Sequence, residues 1–154
     1  MSVEVGQAAP DFTLKDQAGN DVSLADYKGK QPVVLVFYPF TFTGVCQGEL
    51  CEIRDDPSTF ESAEAAVLAI SCDTRHAQAQ WAEQQGFTFP VLSDFWPHGE
   101  VAKAYGVFNE KLGCANRASF VIDKDGKVVA TFASANLATP RSRDEYEAAL
   151  AEVK

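Results

Sequence analysis

The sequence predicts an α/β fold: one mixed central sheet flanked by helices, with a β-hairpin at the N-terminus. Three observations predict it. VVLVFY (33–38) and AAVLAIS (65–71) are continuous apolar runs of strand length, the mark of strands buried on both faces. A helical pattern follows each run, the strand–helix alternation of an α/β chain. Towards the C-terminus, ASFVID (118–123) and KVVATFA (127–133) flank KDG, where Asp125-Gly126 signals a hairpin.

The elements follow in order. DFTLK (11–15) and DVSL (21–24) flank DQAGN, a short hairpin with a Gly-Asn turn. After the strand at 33–38 a helix runs from Gly44 to Asp56, with Val45, Leu50 and Ile53 on one side. After the strand at 65–71, TRHAQAQWAEQQGF is a helix with Ala77, Trp81 and Ala82 inward and Gly86 as its stop. FPVLSD (89–94) is a short strand and GEVAKAYGV (99–107) a short helix. SRDEYEAALAEV (142–153) is an acidic amphipathic helix, with Ser142 as N-cap and Glu145 completing a capping box. No repeat or long linker divides the 154 residues, so 1–154 reads as a single domain. A hairpin, a buried strand and then a cysteine leading a helix fit a thioredoxin-like architecture. That is an analogy of fold and assigns no function.

Charge narrows the function classes. At a formal net charge of −9, the surface repels phosphate backbones and anionic headgroups, so neither nucleic-acid nor membrane partners are expected. VVLVFYPF (33–40), the longest apolar run, is too short to span a bilayer. MSVEVGQAAPDFTLKD lacks the basic and apolar regions of a signal peptide. The expectation is a cytoplasmic protein whose four cysteines, Cys46, Cys51, Cys72 and Cys114, rest as thiols.

Cys46 stands just after the first buried strand, where the chain turns into a helix. Reactive groups collect beyond the carboxyl ends of strands in such sheets. A thiol in the first helical turn faces unpaired N–H groups and the positive end of the helix dipole, and both favour the nucleophilic thiolate. Position alone does not separate this role from that of a small buried hydrophobe.

The neighbours do. PFTFTGVC places Pro39, Thr43 and Cys46 in the pattern P-x-x-x-T-x-x-C, which resembles the active-site signature of the peroxiredoxins, thiol peroxidases on a thioredoxin-like fold. Thr43 is three residues before the thiol, so one helical turn is expected to bring its hydroxyl beside the sulfur, to accept from a peroxide and donate to a thiolate. Pro39 has no N–H and fixes the entry to the loop. Breaking an O–O bond also needs positive charge aimed at the departing oxygen. By resemblance Arg117, in CANRASFVID just before a strand, supplies it, favouring thiolate at Cys46 and orienting the peroxide. Glu49 either orients an arginine or is a favourable acid in the first helical turn. Neither Arg141 nor Arg143 is favoured as a further charge.

The resemblance covers nearly the whole chain. APDFTL, FTFPVLSDFWPHGEVAKAYGVFNE and ANRASFVID are similar to the AhpE subfamily. It implies that hydrogen peroxide, organic hydroperoxides or peroxynitrite oxidise Cys46 to a sulfenic acid. A small thiol or a redoxin of mycoredoxin or thioredoxin type then reduces it. It also implies a homodimer or higher homo-oligomer packed near the active site, with no cofactor and no metal.

Cys51 departs from that subfamily, whose members are one-cysteine enzymes. It stands five residues after Cys46, the spacing of the resolving cysteine in the bacterioferritin-comigratory or Q type. On an intact helix five residues rise about 7.5 Å and turn about 140°, setting the Cα atoms about 8.6 Å apart. A disulfide tolerates about 7 Å at most, so the helix must unwind first, and Gly48 lowers that barrier. Packing beside Leu50 or Ile53 is the other reading of Cys51. Cys72 ends its strand on the same expected edge as Cys46 and could also approach it, and Cys114 stands three residues before Arg117; which of Cys51, Cys72 and Cys114 resolves the sulfenic acid is left open, and the other reading of the last two is a packing or adventitious thiol.

Three rivals have less support. A thioredoxin-like thiol-disulfide oxidoreductase uses C-x-x-C, and C-x-x-x-x-C stands here. A zinc site drawn from the cysteines with His76 and His98 lacks paired ligands. A Cys–His acyl-transfer enzyme needs a histidine on the thiol, and both histidines read as surface residues. Phe95 and Trp96 are expected to pack, at a subunit interface.

Overall fold

The computed structural model describes residues 3–153. Its centre is β3 (Val33–Phe37), all five residues of which are buried. β3 pairs in parallel with β4 (Ala66–Ser71) and antiparallel with β8 (Ala118–Ile122). β4 pairs in parallel with β5 (Val91–Ser93), and β8 antiparallel with β9 (Val128–Ala133). The N-terminal hairpin, β1 (Thr13–Lys15) and β2 (Asp21–Ser23), joins the far edge through β5, giving a seven-stranded mixed sheet in the order β2-β1-β5-β4-β3-β8-β9.

The twofold alternation of β3 divides the core. Val33, Leu35 and Phe37 face a cluster with Leu68, Ile70, Phe120 and Tyr105, while Val34, Val36 and Tyr38 face one holding Cys46, Leu50, Trp81 and Leu150. α1 (Gly44–Asp55), α2 (Ser58–Ser62), α3 (Arg75–Gln85) and α5 (Arg143–Leu150) pack on this second face. The short α4 (Glu100–Ala104) contributes Val101 and Ala102 to the first.

Local chemistry sets the helix ends. Thr74 caps α3 by accepting from the Ala77 N–H at 3.3 Å, and Gly86 ends it in the left-handed region at φ 69°. Ser142 and Glu145 form the expected capping box of α5. Several details differ from expectation. The hairpin strands and α4 are shorter than the runs that suggested them, α2 is additional, and β6 (Phe108–Asn109) with β7 (Cys114–Ala115) forms a separate two-stranded ladder. The inward face of α1 is Cys46, Glu49, Leu50 and Ile53, and Val45 lies half-buried at its side.

Candidate active site

The sheet register brings the site together. Phe37 at the end of β3 pairs with Ala118 at the start of β8, so the loop leaving one strand and the residue entering the other share an edge. Cys46 reaches that edge as the third residue of α1, and Arg117 as the residue before β8. The Arg117 Nη2 donates to the Cys46 sulfur at 3.3 Å, with both side chains almost wholly buried.

Glu49, one helical turn beyond Cys46, holds that arginine. It accepts from the Arg117 Nη1 and also from the Arg141 backbone N–H at 2.7 Å, Nε at 2.9 Å and Nη2 at 2.9 Å. Arg141 extends the lattice: its Nη1 donates to the carbonyls of Phe37 and Ala118, both at 2.8 Å, tying the ends of β3 and β8. Arg117 is fixed from the other side by the Leu137 carbonyl, reached by Nε at 3.2 Å and Nη2 at 2.6 Å. Burial pushes the Glu49 carboxyl up, but the hydrogen bonds and charge of Arg141, with the charge of Arg117, hold it below its ordinary range. Two guanidinium groups against one carboxylate leave one positive charge over, and Arg117 presents it to sulfur.

Thr43 is the N-cap residue of α1, but its side chain makes no capping bond; its hydroxyl donates to the Phe40 carbonyl at 2.6 Å. The expected donation to the sulfur is replaced by this local turn, and the hydroxyl's lone pairs are what it offers a ligand. The first-turn N–H groups of α1 are likewise left without a side-chain cap. Pro39 is buried between β3 and this loop. The loop is pinned by Asp73, whose Oδ2 accepts from the Thr41 N–H at 2.8 Å and from the Ser71 Oγ at 2.7 Å. Phe42, next in the loop, sits at φ 66°, a costly conformation for a bulky residue, with its ring against Trp81.

The remaining candidates fall elsewhere. Cys51 lies half-buried on the same unbroken helix, its thiol against the Gln85 Oε1 at 3.6 Å. Cys72 and Cys114 are buried, and all four cysteines are free thiols. Arg143 is exposed and pairs with Asp56 and Glu147. His76 is exposed; His98, expected on the surface, is half-buried and joins two loops through the carbonyls of Phe95 at 3.1 Å and Gly113 at 2.7 Å. Among the described residues no group of three or more His, Cys, Asp or Glu is placed to hold a metal ion.

Arg141 and Asp73 were not singled out from sequence, yet a signal existed for the first. Arg143 has Glu147 four residues on, the spacing of a solvated helix pair, whereas Arg141 precedes the Ser142 cap and is outside the helix.

Known proteins share this arrangement of chain. The model of the AhpC/TSA family matches residues 5–131. The alkyl hydroperoxide reductase E of Mycobacterium tuberculosis is 55% identical over 124 residues, covering 80% of this chain and 81% of that protein. The peroxiredoxin Bcp of Bacillus subtilis is 34% identical over 84% of each. Among solved structures, the peroxidoxin BcpB of Mycobacterium tuberculosis superposes with a TM-score of 0.84 at 35% identity, covering 98% of this chain and 96% of that one. Family match, identity and fold agree: the chain belongs to the AhpC/TSA family and is a peroxiredoxin, a thiol-dependent peroxidase.

Proposed function

We propose that Cys46 is the peroxide-reducing residue, and that Arg117, Thr43 and Pro39 form its working pocket. The observation that carries this is the Arg117 guanidinium donating to the Cys46 sulfur, while Glu49 and Arg141 hold Arg117 in place. The thiolate attacks the nearer peroxide oxygen, the O–O bond breaks, and the departing oxygen leaves as alcohol or water after taking a proton. The charge that develops there is met by Arg117 and the uncapped N–H groups of α1. Thr43 accepts the peroxide O–H and so orients it. Cys46 is left as a sulfenic acid.

Organic hydroperoxides are the substrates, in line with the name of the 55%-identical relative, an alkyl hydroperoxide reductase, and hydrogen peroxide and peroxynitrite are proposed beside them. A small thiol or a redoxin of mycoredoxin or thioredoxin type condenses with the sulfenic acid, releasing water, and a second thiol frees Cys46. Resolution by Cys51 is the alternative, and it needs the unbroken first turns of α1 to open. A second copy of the chain fits the exposed Phe95, Trp96 and Leu112, which His98 holds on neighbouring loops. No helix among the described residues is long and apolar enough to cross a membrane.

The test is peroxide consumption with excess dithiothreitol. Wild-type protein is expected to turn over many equivalents and Cys46→Ser none. Fast turnover by the variant would sink the assignment.

A further inference from the structure

α1 is fastened to α3 along one line. Gln47, Cys51 and Arg54, spaced i, i+4 and i+7, share a face of α1, and Trp81 and Gln85, four apart, share a face of α3. The Gln47 Oε1 accepts from the Trp81 indole N–H at 3.1 Å, the Cys51 thiol donates to the Gln85 Oε1 at 3.6 Å, and the Arg54 Nη1 donates to the Gln85 carbonyl at 2.6 Å. Cys51 is therefore held towards α3, while Cys46 is turned towards Arg117.

Gly48 divides the helix. Beyond it, Glu49 is anchored by Arg117 and Arg141, and Cys51 and Arg54 by Gln85. Before it, the turn that carries Cys46 is held through Cys46 to Arg117 and through Gln47 to Trp81. Oxidation adds an oxygen at the first of these contacts and leaves the second untouched. Trp81 is 0% exposed and fixed by ring contacts with Tyr38 at 5.4 Å and Phe87 at 5.1 Å, so without Gln47 its N–H is a buried, unpaired donor.

We propose that Gln47 is a positioning residue: its bond to Trp81 keeps the first turn of α1 wound, which denies Cys51 to the oxidised Cys46 and leaves the sulfenic acid to an external thiol. The proposal deepens the reading above and rests on peroxide oxidising Cys46. The recycling step has the same balance by either route. A thiol sulfur attacks the sulfenic sulfur, an S–S bond forms, and hydroxide leaves, taking up the thiol proton as water. With an external thiol the product is a mixed disulfide, and the helix need not move. With Cys51 the product is a Cys46–Cys51 disulfide, and residues 44–48 must unwind to bring the two Cα atoms from about 8.6 Å to within about 7 Å. That movement pulls Gln47 off Trp81. Where the acceptor is already missing, the Trp81 N–H is unpaired in the wound state too, and unwinding is favoured by about 10- to 100-fold.

The test is to add one equivalent of hydrogen peroxide to the reduced protein with no other thiol present. Samples are taken over time into dimedone and an alkylating agent under denaturing conditions, and peptides are mapped without reduction. Wild type is expected to keep a dimedone-reactive sulfenic acid on Cys46 with Cys51 alkylated. Gln47→Ala is expected to form the Cys46–Cys51 link about 10- to 100-fold faster, and Gln47→Glu, whose carboxylate still accepts from Trp81, to behave as wild type. The rate at which peroxide oxidises Cys46 should be nearly equal in all three, which a general loosening of the fold would not allow. Gln47→Leu, which keeps the bulk without the acceptor, repeats the test if Gln47→Ala fails to fold by circular dichroism. Equal rates of link formation with and without the acceptor, whether fast or nil, would overturn the latch and leave the peroxidase reading standing, as would a disulfide from Cys46 to Cys72 or Cys114 in the wild type. An unoxidised Cys46 would overturn both readings.

Discussion

Arg141 and Glu49 are joined by three hydrogen bonds, one from the arginine backbone and two from its side chain, although 92 residues separate them. Both are nearly wholly buried. Glu49 is thus the anchor through which the segment before α5 is fixed to α1, and the carboxylate that positions Arg117 on Cys46.

Glu49→Gln preserves the shape but leaves two buried guanidinium groups with no carboxylate. Removing one partner of a buried ion pair costs about 3–5 kcal/mol, and a loss of this size is expected in chemical denaturation at pH 7. The pH dependence follows from the sign of the shift. The Glu49 carboxyl is held below its ordinary range when folded, so its contribution is complete above the ordinary glutamate value of about 4.3 and is lost as pH falls through the folded value. The gap between wild type and variant should therefore narrow in acid. A gap that is constant from pH 7 to pH 3 would contradict this.

Thr43→Val removes the hydroxyl that bonds the Phe40 carbonyl. Thr43 is exposed, so water replaces that bond and stability should change by less than about 1 kcal/mol. Peroxide orientation has no such substitute, and kcat/KM is expected to fall about 10- to 100-fold. Unchanged kcat/KM in a steady-state assay would remove Thr43 from the pocket.

Thiol reactivity should divide by burial. Cys51 is half-buried at the side of α1, whereas Cys72, pushed up to about 12, and Cys114, also pushed up by burial, are enclosed. Iodoacetamide on the native, reduced protein at pH 8 is expected to label Cys51 at least about 100-fold faster than either buried thiol. Equal labelling of Cys72 in a peptide map would show that this part of the molecule opens freely.

Legibility in the sequence followed the strength of local signals. The run at 33–38 announced β3 because a strand covered on both faces carries no polar residue, and Ser142 with Glu145 announced α5. Cys46 follows the first buried strand and the family resemblance points to Arg117, and the sheet register brings the two into contact. Glu49 was half-legible: it falls on the Cys46–Leu50–Ile53 stripe of α1, where an acid must be paired. Its partner Arg141 depends on a contact across 92 residues, which no local pattern encodes. α2 and the β6–β7 ladder were missed because five-residue and two-residue elements are too short to show a period.

The most direct test of the central claim, that the Arg117 contact makes Cys46 a peroxidatic thiol, is the rate of sulfenic acid formation in Arg117→Met, followed by stopped flow with one equivalent of peroxide. Glu49 keeps Arg141 as its partner in this variant, so the fold should survive. Loss of one donor aimed at developing charge should slow the reaction by about 100- to 1,000-fold. A rate equal to that of the wild type would contradict the claim.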